Sequence, residues 1–270
     1  MRKILVSVLL MFSFVMPFSC ETEDVEATVS TVVDLAAADA SAFGEASLAC
    51  LETNLGFICR ACCYELGAAA AVIGSAYAAT YKRTMNSGTI PSRHIESEII
   101  LPDSFKIASN PYECAGVIHN RLLFEIMNGN SEQKIQDILS GNQAALERIV
   151  QISSDCQPID PETQTQIIEN LRQGLTLSNY QENLLKYKNI SREELFSGNG
   201  TSVDAEYYVG VYDEVITLKN NSGNSITTIL NFFNRKLSEL LNNNEPMDSL
   251  KTSKLGFLSV FKHSYYYWNK

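Results

Sequence analysis

Between Ile226 and Leu241 the apolar residues Ile226, Ile229, Leu230, Phe233, Leu237, Leu240 and Leu241 recur every three or four positions. That spacing lays one apolar stripe along a helix, whereas a strand sends alternate residues to opposite faces. The same period runs through Ser131–Leu139, Gln143–Ser153 and Pro161–Arg172, and Asp204–Lys219 and Ser249–Trp268 read as further helices. Asn128-Gly129-Asn130, Ser197–Gly200 and Asn220–Asn224 are breaks between them, and Ser178–Gln181 and Ser191–Glu194 carry the capping-box pattern. With 45% hydrophobic and 19% charged residues, the chain has the composition of a folded protein and not of a disordered one. The predicted class is all-α: a multi-helix bundle with an Ala/Gly-rich N-terminal helix pair and an extended crossover segment.

The helix pair starts with Val32–Glu52, rich in alanine and broken only by polar points such as Asp34 and Asp39. Phe57–Arg83 follows and contains the small-residue run Leu66–Ala79. Small side chains let helices approach closely, and in lipid such faces drive association. The run is short for a bilayer, so a tightly packed core helix is expected, with a membrane-active Ala/Gly hairpin as the alternative. Thr89–Ala108 holds two prolines around Ile99-Ile100-Leu101 and reads as the crossover, with room for one short strand.

Residues 1–19 have the layout of a signal peptide: Arg2 and Lys3, then an almost wholly apolar run from Ile4 to Phe18, then Ser19. Cys20 is the candidate lipidation site, and residues 20–31 form an acidic tether to a single helical domain, 32–270. Pro17-Phe18-Ser19-Cys20 resembles the looser Ser-Cys signals of Bacteroidota-type lipoproteins, and Glu21-Thr22-Glu23-Asp24 resembles their acidic surface-export tag. The resemblance implies an exported protein, lipid-anchored at the outer membrane or cell surface, with the membrane as a partner through the anchor. The formal net charge is -10, and loss of Arg2 and Lys3 with the signal moves it to -12. So acidic a chain repels phosphate backbones, which excludes nucleic acid as an expected partner.

Outside the cytosol the even set Cys50, Cys59, Cys62, Cys63, Cys114 and Cys156 favours disulfides. Element order suggests Cys114 with Cys156, and Cys50 with one of the Cys59, Cys62 and Cys63 group. Cys59-x-x-Cys62 lacks the second pair that a zinc knuckle needs.

The most unusual wording is Ser109–Asn120. Asn110 followed by Pro111 reads as a helix cap and first turn, Gly116 as a close helix contact, and His119-Asn120 as the polar pair left to explain. Asn110, Tyr112, His119 and Asn120 are the ligand-binding candidates. His119 with His94 or Glu113 could build a metal-dependent enzyme, the alternative to a non-enzymatic module. No hydrolase, nucleotide or zinc-protease signature is present, and no cofactor is implied. Asn110-Pro111-Tyr112, Gly116, His119-Asn120 and Leu122-Leu123 resemble a motif of uncharacterised bacterial exported proteins. That resemblance implies one helical architecture and no activity. The expectation is an envelope-anchored binding or interaction module with a protein or glycan partner.

Overall fold

Several of the helices start where a short polar side chain takes up a free backbone N–H group. The structure, a computed structural model, describes residues 23–51, 63, 66–74, 76, 99–156, 158–175, 202–223 and 225–269. Its helices are α1 (Glu23–Leu51), α2 (Glu113–Met127), α3 (Ser131–Leu139), α4 (Gln143–Cys156), α5 (Pro161–Gly174), α6 (Ser202–Asn221), α7 (Ile226–Asn242) and α8 (Ser249–Trp268), with residues 66–74 also helical. The fold is all-α, with no strand among the described residues. Asn130, Asp160, Ser225 and Asp248 each accept a hydrogen bond from the backbone N–H three residues on, at the starts of α3, α5, α7 and α8. Such a cap contributes about 1 kcal/mol. Gly129, at φ 137°, turns the chain out of α2.

Helix α8 is the axis of the bundle. From Lys251 to Trp268 every residue but Lys254 is buried, so no side of the helix faces water. It packs against α1, α2 and α7, while α4 lies against the outside of α2 and α5 against α4. Its aromatic residues interlock with their neighbours: Phe257 stacks on Tyr208 at 4.2 Å between ring centres, and Phe261 lies 4.9 Å from Phe233. Close approach depends on glycine. A Cβ on Gly256 would sit 2.2 Å from Phe43 Cε1, so α1 and α8 can meet there only without one. Ala36, Ala37, Ala38 and Ala40 of α1 and Ala68–Ala71 are all buried, so the Ala-rich runs are core. Among the described residues no helix is long and apolar enough to cross a membrane.

Cys114 of α2 and Cys156 of α4 form a disulfide with Cα atoms 5.9 Å apart, the pairing suggested by element order, and Cys63 is disulfide-bonded as well. Helix α1 begins at Glu23, within the segment read as an acidic tether. Glu23, Asp24 and Glu26 are residues that suit the positive end of a helix. The crossover has no strand over its described part. Ile99 and Leu101 are buried in irregular backbone, and Asp103–Phe105 makes one 3₁₀ turn. Residues 1–19, Cys20, Cys59, Cys62, His94 and the capping boxes at Ser178 and Ser191 lie outside the described residues, as does the side chain of Cys50.

Candidate functional site

Asp39, Glu113, His119, Lys262 and His263 gather where α1, α2 and α8 converge. Glu113 opens α2, two residues after Pro111, and is brought there by a turn instead of the expected cap. Asn110 Oδ1 accepts from the Tyr112 N–H at 3.1 Å, an Asx turn, and the cap position of α2 is Tyr112. Asn110 therefore does not cap α2. Its amide is spent across the core, where Nδ2 donates to Ser259 Oγ of α8 at 2.7 Å and to Glu113 Oε2 at 3.2 Å.

Glu113 is the hub. Its Oε1 lies 2.8 Å from both Lys262 Nζ and His263 Nε2, and its Oε2 accepts from Lys262 at 3.0 Å. Lys262, whose side chain is fully buried, also donates to the Phe105 carbonyl at 3.1 Å and to Asn234 Oδ1 at 3.3 Å. Burial works to raise the Glu113 carboxyl, but the hydrogen bonds and charges of His263 and Lys262 outweigh it and hold the group down at about 2. Burial pushes the Lys262 ammonium below its ordinary range, and Glu113 counters that push. Lys262 and His263 follow one another on α8 and reach the same carboxylate.

The second centre is Asp39, fully buried in the alanine run of α1. Its Oδ2 accepts from Ser264 Oγ and from Trp268 Nε1 at 3.2 Å, and lies 3.1 Å from His119 Nε2, off the line of a straight hydrogen bond. His119 Nδ1 pairs with Asn120 Oδ1 at 3.0 Å. Asn120 Nδ2 donates to the carbonyls of Ile99 and His263, each at 2.9 Å, which ties the crossover to α8. The His263 ring occupies the space that Gly116 leaves open: a Cβ there would lie 2.3 Å from Cδ2.

Further along the core, Tyr112 OH lies 3.1 Å from Thr252 Oγ1, and Tyr212 OH donates to Asp34 Oδ1 at 2.7 Å. Burial lowers the nearby Lys219 ammonium to about 8, against the pull of Asp34.

All four ligand-binding candidates are thus in the core. Asn110, Tyr112, His119 and Asn120 are at most 5% exposed, and each has a polar contact to a neighbouring core group. His119 and Glu113 face different partners, Asp39 for one and Lys262 with His263 for the other. Among the described residues no group of three His, Cys, Asp or Glu could hold a metal ion. Sequence reasoning missed Lys262, His263 and the role of Asp39. The signal was there: Asp39 stands alone in Ala36-Ala37-Ala38-Asp39-Ala40, and Lys262-His263 is flanked by Val260-Phe261 and Tyr265-Tyr266. A charge set in an otherwise apolar helix has to find a partner when that helix is buried.

At the surface, α4 and α5 border a shallow depression of about 210 Å³ lined by Glu147, Val150, Gln151, Ser154, Gln164 and Ile168. Comparison with protein-family models, curated proteins and solved structures finds no match to this chain.

Proposed function

We propose that the protein is an envelope-anchored helical lipoprotein that acts as a non-enzymatic binding or interaction module, with the Ser109–Asn120 motif serving as its internal lock. One observation carries this reading. The carboxylates, imidazoles and ammonium of the motif and of α8 lie at 0–14% side-chain exposure and bond to one another. A general acid, base or nucleophile has to come within hydrogen-bond reach of its substrate, and these groups reach other groups of the chain's own core. The chemistry that the sequence displays most openly therefore goes into holding α1, α2 and α8 together, and recognition falls to the surface. Support for the anchor is the apolar run ending in Ser19-Cys20.

Two arms test the reading. In cells fed radiolabelled fatty acid, label should enter the chain and vanish in Cys20→Ala; an unlabelled wild type rejects the anchor. Photo-crosslinkers placed at Gln151 and Gln164, beside the depression, should trap a discrete envelope protein or glycan. A reaction of the purified protein that is lost in a folded His119→Gln variant would instead favour the metal-dependent enzyme.

A further inference from the structure

The charges around Glu113 can be counted, because its hydrogen bonds fix where the protons are. Asn120 orients the neighbouring ring. Its Nδ2 donates to two carbonyls, so its Oδ1 is the atom facing His119, and His119 Nδ1 carries a hydrogen toward it. The other nitrogen of His119 meets Asp39 Oδ2, an atom that already accepts from Ser264 and Trp268. Nε2 lies 3.1 Å away without donating to it. Glu113 forms a balanced set. Its one negative charge is matched by the Lys262 ammonium, and its oxygens also accept from Asn110 and from the N–H of Ile107 at 3.5 Å. His263 donates to Glu113 through Nε2, so an added proton enters at Nδ1.

With His263 uncharged, Glu113, Lys262 and His263 sum to zero. One more proton leaves that set at +1, with Glu113 already matched by Lys262 and with His263 about 1% exposed. An uncompensated buried charge is strongly destabilising. The ring has no quiet way out, since it is pressed on the bare Cα of Gly116 and must part α2 from α8 to reach water.

We propose that Glu113, Lys262 and His263 form an acid-operated latch, in which protonation of His263 releases α8 from α2 and α1. The groups around it come from every side: Asp39 from α1, Glu113 and His119 from α2, Lys262 from α8 itself, Lys106 acting on Lys262 from ahead of α2, and the uncharged Asn234 from α7. Burial pushes the His263 imidazole below its ordinary 6.5, Glu113 pulls it back, and Lys262 and His119 push it down further. The open chain therefore binds the proton at a higher pH than the closed one. Stability from this group is whole above about pH 6.5 and declines as the pH falls below it. The latch is independent of what the surface binds.

Trp268, the chain's one tryptophan, donates to Asp39 and reports from inside the cluster. The test follows Trp268 emission and amide hydrogen exchange of α8 in the purified full-length chain from pH 7.5 to 5, with exchange corrected for its intrinsic rate. Opening should rise by up to about tenfold per pH unit, the limit for one proton. In His263→Gln, which keeps a donor for Glu113 but takes no proton, the rise should be absent. A wild type without the rise, or a variant with the same rise, overturns the latch. Should His263→Gln not fold at pH 7.5, NMR titration of the wild-type imidazoles decides. Protonation of His263 in step with loss of α8 protection supports the latch, and protonation with protection intact overturns it.

Discussion

Helices α7 and α8 lie side by side and are built on opposite plans. Helix α7 buries Ile229, Leu230, Phe232, Phe233 and Leu237 along one face and gives the other to Arg235, Glu239 and water. Helix α8 has no outer face, and carries Lys251, Ser253, Ser259, Lys262, His263 and Ser264 into the core beside Phe257, Phe261 and Tyr265. For α7 the stripe is enough to orient the helix. For α8 apolar area gives adhesion on every side and so no preferred rotation. Its rotation and height are set by polar groups with directed partners: Ser259 with Asn110, Lys262 and His263 with Glu113, Ser264 with Asp39. Directional bonds select one packing where non-directional burial allows several.

The contrast breaks first at Glu113. Glu113→Gln strands a buried Lys262 ammonium and should lower the unfolding free energy by about 3–5 kcal/mol, measured by urea denaturation at pH 7.5. Acid should reach the same carboxylate by titration. Its folded value of about 2 lies below the ordinary 4.5, so its contribution is complete above pH 4.5 and is lost as the pH falls toward 2. The loss is on the order of 3 kcal/mol, and pH-dependent melting that is unchanged in Glu113→Gln over this range would contradict it.

Glycine sharpens the comparison by position alone. Gly116→Ala puts a Cβ into the Cβ–Cγ end of His263, which has little freedom to retreat, and should destabilise by about 2 kcal/mol. Gly210→Ala on α6, where a Cβ meets nothing within 4 Å, should stabilise by up to about 1 kcal/mol. Equal thermal shifts of the same sign for the two would remove the close-contact explanation. At the small end is Lys236 of α7, bridging to Glu214 of α6 at 2.7 Å on a half-exposed surface. Lys236→Ala should change stability by about 0.5 kcal/mol, within reach of calorimetry and far below the Glu113 effect.

How far the sequence could be read follows from the same contrast. The stripe of α7 and the break at Asn128–Asn130 are local, and helices α3 to α8 fall close to where period and breaks place them. Gly116 was legible as a close contact, but its occupant is a ring 147 residues further along, His263, which no local pattern names. Asn110-Pro111 was legible as the approach to a helix. That Asn110 turns back on the Tyr112 N–H and sends its amide to Ser259 depends on α8 being there. The buried carboxylates were visible only as odd residues in apolar or alanine-rich surroundings. Which partner each one meets is a matter of tertiary packing, and periodicity carries no information on it.

The claim that polar pairing positions α8 is tested most directly by a double-mutant cycle on Glu113 and Lys262, using Glu113→Gln, Lys262→Met and the double variant in urea at pH 7.5. The double variant should be more stable than Glu113→Gln alone, with a coupling energy of about 2–3 kcal/mol, because removing both charges leaves neither buried without its partner. Additive losses, with coupling below about 0.5 kcal/mol, would mean that the pair does not act as a unit and that apolar packing alone seats the helix.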